Sequence, residues 1–264
     1  MYNLTWGTAQ PGHLLFLIDQ SGSLGDDDAK IVAQCLQESL AEVVAACIDG
    51  NVVKNRAFVT VIGYGDKSEV KELKSGWIRD LSKEIVAAQD NGTLIIPAIS
   101  DGGTPMAEAF RLAKNCIDDS IVSFEEQIKN PKSEEERINA YAAPIVINIT
   151  DGVPDDVADA EVAAKNITDT VTPDGNVLLF NIHICDFKNS KDFAPIIFPD
   201  DMSAVQGNKA GEFLFRISSQ LTPSMVTVAK KQFNERTKPN SRGFAVNIDS
   251  SMLARLITFC SPVK

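Results

Sequence analysis

Leu14-Leu15-Phe16-Leu17-Ile18, followed at once by Asp19-Gln20-Ser21-Gly22-Ser23, decides how this chain folds. The first five residues are apolar without alternation, as in a strand buried on both faces. The next five form a turn that sets one carboxylate and two hydroxyls on alternate residues. Two later stretches complete a set. Gly102-Gly103-Thr104-Pro105 supplies a third hydroxyl, and Thr150-Asp151-Gly152 supplies a second carboxylate after the apolar run 145–149. Ligands of open parallel sheets collect beyond the carboxyl ends of the strands, so Asp19 and Asp151 are expected at one rim.

Around these stretches, apolar strand-length runs alternate with helical periodicity, which predicts a mostly parallel sheet covered on both faces. Strands are expected over 14–18, 57–64, 145–149 and 177–184, with a late one at 243–248. The charged stretch 69–73, after the turn Gly63-Tyr64-Gly65-Asp66, suits a single antiparallel edge strand that discourages further pairing. The first helix is expected over 26–49, because Ile31, Cys35, Leu36, Leu40, Val43, Val44, Cys47 and Ile48 share one face. Asp26, Asp27 and Asp28 stand at its start, where the helix dipole favours negative charge. A second helix should start at Pro105, with Thr104 as its cap and Met106, Ala109, Phe110, Ala113 and Ile117 on its apolar side. Further helices are expected over 155–170, 223–235 and 250–259. The chain thus reads as one doubly wound α/β domain over 1–264, with a charged solvated insertion near 129–137. The portion 200–264 either completes the sheet or forms a small extension.

A chain of 264 residues can bury a sizeable core, and 44% hydrophobic with 23% charged residues is ordinary for a globular protein. The formal charge of −11, from 25 basic and 36 acidic residues, argues against nucleic acid or an anionic membrane as partner. Residues 1–7 show neither a basic nor an apolar leader region, and no apolar run reaches membrane-spanning length, so no secretory signal and no membrane span are expected. Cys35, Cys47, Cys116, Cys185 and Cys260 are odd in number, widely spaced and set in apolar patterns, as reduced thiols in a cytoplasmic protein would be. There is no internal repeat or low-complexity tract.

Asp19-x-Ser21-x-Ser23, then Thr104, then Asp151 resembles the von Willebrand factor A (VWA) family, whose metal-ion-dependent adhesion site (MIDAS) is a DxSxS turn, a distant Thr and a distant Asp. All five positions match in order, and the resemblance extends over most of the chain. Carboxylate and hydroxyl oxygens are hard ligands, suited to Mg²⁺ first, with Mn²⁺ and Ca²⁺ as alternatives, and unsuited to zinc or copper. The resemblance implies that Ser21, Ser23 and Thr104 touch the metal directly while Asp19 and Asp151 orient them and offset its charge. Neutral direct ligands leave the ion electrophilic, with a position open for a partner's Glu or Asp. Metal-bridged protein binding by a noncatalytic adaptor is the function expected.

The form Gly-Gly-Thr-Pro-Met around Thr104 is most similar to prokaryotic cytosolic VWA proteins, the tellurium-resistance-associated group among them. Some of that group are thought to operate with a protein kinase and a protein phosphatase, which implies a regulatory or scaffolding role. Two other functions compete. One is a Mg²⁺-dependent phosphohydrolase with Asp19 as nucleophile; such enzymes carry a second carboxylate two residues on, where this chain has Ser21. The other is a VWA subunit of an ATPase complex, which would use the same rim.

Each piece also has a bland reading. Ser23 and Thr104 could serve only as helix caps, and Asp-Gly is a common turn pair. Their order and flanking strands favour the metal site. The pair Asp26-Asp27 is similar to the integrin β-subunit form, with its adjacent calcium site, but acidic residues at a helix start need no metal and are not assigned as ligands. His13 and His183 lie far apart and no Cys-x-x-Cys occurs, which leaves zinc little support; His183 reads as a packed strand residue. Gly63-x-Gly65 lacks the third glycine of a dinucleotide fingerprint, and no phosphate-loop motif is present.

Overall fold

The computed structural model describes residues 2, 6–65, 67, 69–127, 141–184 and 194–260. In chain order the elements are β1 (Gly12–Asp19), α1 (Asp26–Ala46), β2 (Ile48–Asp49), β3 (Val52–Val53), β4 (Ala57–Tyr64), β5 (Val70–Trp77), α2 (Ile78–Asn91) and α3 (Met106–Gln127). They continue as β6 (Ile145–Thr150), α4 (Val157–Thr168), β7 (Leu178–His183), β8 (Ile196–Ile197), a 3-10 turn (Met202–Val205), α5 (Lys209–Ile217), α6 (Pro223–Gln232), β9 (Phe244–Val246) and α7 (Ser250–Phe259).

Seven strands form one sheet in the order β5-β4-β1-β6-β7-β9-β8. The five central strands are parallel, and β5 pairs antiparallel with β4 at the edge. A two-residue strand, β8, closes the other edge antiparallel to β9. The architecture is therefore the doubly wound, mostly parallel α/β sheet expected from the apolar runs.

Strand periodicity explains the layers. Leu14, Phe16 and Ile18 of β1 point into one core with Leu36 and Leu40 of α1 and Leu253 and Leu256 of α7. Leu15 and Leu17 point into the other, with Phe110 of α3, Ala163 of α4 and Phe213 of α5. Successive side chains on a strand face opposite ways, so a strand apolar at every position must be covered twice. All eight β1 residues are buried. Each fully buried Leu or Phe of this kind stabilises the fold by roughly 1.5–3 kcal/mol relative to exposure.

The structure adjusts several expected boundaries. Helix α1 stops at Ala46, and 48–49 turn instead into a two-strand hairpin, β2–β3. The edge strand runs on to Trp77 and leads directly into α2, an unexpected helix. Ile78, Ser82, Ile85 and Ala88 form its buried stripe, a periodicity thinned by the charged residues between them. Helix α5 was also unforeseen. It has only nine residues, capped by the Asn208 side chain, which accepts from Gly211 N. The C-terminal portion joins the main body: β9 lies in the sheet and α7 covers α1, with Ser39 Oγ donating to Ala254 O at 3.3 Å. The segment 129–137 lies outside the described residues. Among the described residues no helix is long and apolar enough to cross a membrane.

Candidate metal centre

The site sits at the carboxyl ends of β1 and β6, which are direct neighbours in the sheet. Asp19 is the last residue of β1 and is 1% exposed. One of its carboxylate oxygens accepts from Ser21 N at 2.8 Å, and the other from the Thr150 hydroxyl. These bonds curl the chain so that Ser21 and Ser23 face the rim, with their Oγ atoms 3.1 Å apart. Ser23 Oγ donates to Asp151 Oδ1 at 2.9 Å, closing the gap between the β1 and β6 turns.

Thr104 arrives from a third direction. Its backbone N donates to Asp155 Oδ1 at 3.0 Å, and Asp155 N donates back to Thr104 O at 3.1 Å. That reciprocal pair fixes the 102–105 loop against the turn after β6. A Cβ built on Gly152 would lie 3.6 Å from Thr104 Oγ1 and 3.8 Å from Ser23 Oγ. The hydroxyls of Thr104 and Ser23 thus flank one small space, which the missing side chain of Gly152 leaves open. All five expected side chains are brought together.

The turn is anchored by residues the motif does not contain. Ser100 Oγ donates to Ser21 O at 3.1 Å and accepts from Gly25 N at 2.9 Å. Asp101 N donates to Gln20 O, and Gly22 N to Gly102 O. Beneath the turn, Gly65 has φ +123°, and a Cβ there would come within 2.4 Å of Ser21 N. Only glycine combines that backbone angle with that clearance. The sequence marks Gly65 as part of the turn before the edge strand and of an incomplete nucleotide fingerprint, without a role at the site. Its signal was the position at the end of a buried strand beside the DxSxS turn. Thr150 was in view as part of the Thr-Asp-Gly stretch, without a role.

The bland cap reading of Ser23 fails, because α1 is N-capped by Gly25 with no side-chain cap bond. His183 is buried, as expected of a strand residue, and it also touches the site: its Nε2 lies 3.2 Å from Asp151 O and its Nδ1 3.4 Å from Asn208 Nδ2. His13 lies at the other end of β1, between Ser120 Oγ at 2.8 Å and Thr60 Oγ1 at 3.0 Å.

Electrostatics fit a cation. Burial pushes the Asp19 carboxyl up to about 6, and the charge of Asp151 adds to the rise. Burial also raises Asp151, with Asp28 contributing. Desolvated carboxylates are costly when ionised, and a divalent cation held at this rim would offset that cost. Among the described residues no three His, Cys, Asp or Glu side chains cluster at metal-binding spacing. The donor set is rich in hydroxyl and carboxylate oxygens, which suits a hard divalent cation.

No protein-family model and no curated protein sequence matches the chain. Solved structures do match its fold. The pilus adhesin SpaC of Lactobacillus rhamnosus GG, in an open conformation, aligns at a TM-score of 0.56 and 12% identity, over 96% of this chain and 30% of that one. Proximal thread matrix protein 1 of the mussel byssus aligns at 0.51 and 15% identity, over 96% of this chain and 47% of its own length. The chain therefore spans less than half of either protein. Manganese-loaded TRAP protein of Plasmodium vivax aligns over 96% of this chain and 74% of its own at 16% identity, with a TM-score of 0.48. The fold is VWA-like.

Proposed function

We propose that this chain binds a partner protein through a divalent cation, Mg²⁺ foremost, held at the rim by Ser21, Ser23 and Thr104 with Asp19 and Asp151 behind them. The observation that carries this reading is the convergence of hydroxyls from separate segments around Gly152. When bound, the cation supplies a hard Lewis acid for a carboxylate oxygen of the partner. The chain's own residues do the rest. Asp19 holds the Ser21 backbone, Asp151 orients the Ser23 hydroxyl, and Asp155 fixes Thr104 in place.

Binding fits the site better than catalysis. Both oxygens of Asp19 already accept hydrogen bonds and the residue is buried, so it is poorly set to attack phosphorus. The position where a phosphohydrolase needs its acid and base carries Ser21. A cytoplasmic setting is part of the proposal, supported by four free cysteines among the described residues, three of them buried; Cys185 lies outside those residues. The kinase and phosphatase association rests on the family resemblance alone.

Calorimetric titration with Mg²⁺ and Mn²⁺ tests the metal. Wild type should bind one ion, and Asp19→Ala and Ser21→Ala should lose roughly 10–100-fold in affinity or more. Gly152→Ala is sharper. The new methyl meets only ordinary contact distances, so stability should stay within about 0.5 kcal/mol, while the methyl occupies the space between the hydroxyls and weakens the ion at least ~10-fold. Equal metal binding by all four proteins would remove the proposal. A pull-down in Mg²⁺ against chelator then names the partner and separates a free adaptor from an ATPase subunit.

A further inference from the structure

We propose that the amino end of the sheet carries a second site, which binds the phosphate group of a small molecule. A cavity of about 290 Å³ opens there, lined by Arg216, Arg242, Lys165, Glu161 and Ser219 among others. Its position follows from the strands. Arg242 precedes β9, and Ser219 Oγ accepts from Leu179 N near the start of β7, so the cavity lies at the strand ends opposite the metal centre.

Both guanidinium groups are held in place before any ligand arrives. The Arg242 guanidinium lies 5.4 Å from the centre of the Phe215 ring, and its NH1 donates to the carbonyls of Arg216 and Ser218 at the end of α5. Those bonds use one edge of the planar group and leave Nε and NH2 for a second acceptor. Arg216 lies 5.8 Å from the Phe213 ring and forks onto Glu161, with Nε to Oε1 at 2.9 Å and NH2 to Oε2 at 3.2 Å. A guanidinium matches two oxygens of a phosphate as well as it matches a carboxylate. Ser219, already accepting from Leu179 N, has its hydroxyl proton to donate. Lys165, ion-paired with Asp169, adds a cation at the mouth.

Either arginine alone would be ordinary, Arg242 as a helix C-terminal cap and Arg216 as a surface ion pair. Their sharing one cavity with a hydroxyl donor is what makes a site, in a chain whose overall charge of −11 repels anions. The volume accommodates a phosphate with a small organic body and little more.

Titration calorimetry of the full chain with inorganic phosphate, pyrophosphate and O-phosphoserine tests this, with sodium chloride of matched ionic strength as control. One saturable site is expected. Arg216→Gln and Arg242→Lys should each weaken it by about tenfold or more, since a charge-assisted hydrogen bond is lost. Arg242→Lys keeps the charge and guards against simple unfolding, which thermal melting checks. Glu161→Gln should tighten binding severalfold, because it removes the carboxylate that competes for Arg216. Ser21→Ala should leave phosphate binding unchanged. The proposal falls if no saturable heat appears, if the arginine variants bind as wild type does, or if Ser21→Ala abolishes the signal and so moves the anion to the metal rim. A phosphoserine peptide that binds much more tightly than O-phosphoserine would overturn the small-molecule assignment.

Discussion

The two ends of the sheet are built from opposite materials. At the carboxyl ends of β1 and β6, three hydroxyls and two buried carboxylates converge, the rim where a cation is proposed. At the amino ends of β7 and β9, two guanidiniums lie against aromatic rings around a cavity. The carboxyl rim depends on backbone clearance, because side chains from distant segments must approach within hydrogen-bond distance. The amino rim depends on long side chains that reach across a gap and need only a flat apolar surface to rest on. The first should therefore be brittle towards small changes and the second tolerant of them.

Between the ends runs a buried polar row. Tyr64 OH donates to Asn148 Oδ1 at 2.8 Å, Asn148 Nδ2 to Asn181 Oδ1 at 3.0 Å, and Asn181 Nδ2 to Ser218 Oγ at 2.9 Å. Asn148 and Asn181 are register partners on β6 and β7, so their amides meet as cross-strand neighbours. Tyr64 lies near Asp19, whose charge adds to burial in raising the phenol. Ser218 lines the cavity.

The largest expected effect breaks the brittle end without touching a ligand. Gly65→Ala forces a Cβ onto the Ser21 backbone at a left-handed φ, and should cost about 3 kcal/mol or more and abolish metal binding. Chemical denaturation paired with Mn²⁺ titration measures both. A variant with wild-type stability would show that the turn is not packed as described.

Asn181→Ala is next. It removes the oxygen to which Asn148 Nδ2 donates, leaving that group only Met106 Sδ, and opens a small cavity, for a loss of about 1–3 kcal/mol read from urea unfolding. The same protein sharpens the comparison. Unchanged metal and phosphate affinities would mean that the row only holds the sheet together, whereas a shift in both would join the two ends into one system.

The last effect is a slope with pH, small over any single unit. His13, at the amino end of β1, is pushed by burial down to about 3, from an ordinary value of 6.5. Between those values the unfolded chain holds a proton that the folded one does not. This contribution is fully favourable above pH 6.5 and is lost as pH falls, at up to ~1.4 kcal/mol per pH unit. Stability of His13→Gln measured from pH 7 to 4 should therefore fall less steeply than wild type, by close to one proton. Identical slopes would place the imidazole in contact with solvent.

Much of this was legible in the residues. Unbroken apolar runs gave β1, β4, β6 and β7 because a strand covered on both faces has no polar alternation to hide it. Short or charge-thinned elements were not legible: α2 buries only a narrow stripe, α5 is nine residues long, and β8 is two. Asp19, Ser21 and Ser23 were visible because alternate spacing on a turn is a local property, whereas Thr104 and Asp151 joined them through the family resemblance. The supports were not. Ser100, Asp155 and Gly65 act across 44 to 79 residues of sequence, and none carries a local pattern that announces it.

The amino-acid order alone settled which segments are strands covered on both sides and which oxygens those strands carry to their ends, since both follow from neighbours a few residues apart. Only the folded chain decided that Thr104 meets Ser23 across Gly152, and that Arg216 and Arg242 share a cavity. Those meetings depend on how loops and helices pack over the sheet, and packing is a sum over contacts between residues far apart in sequence.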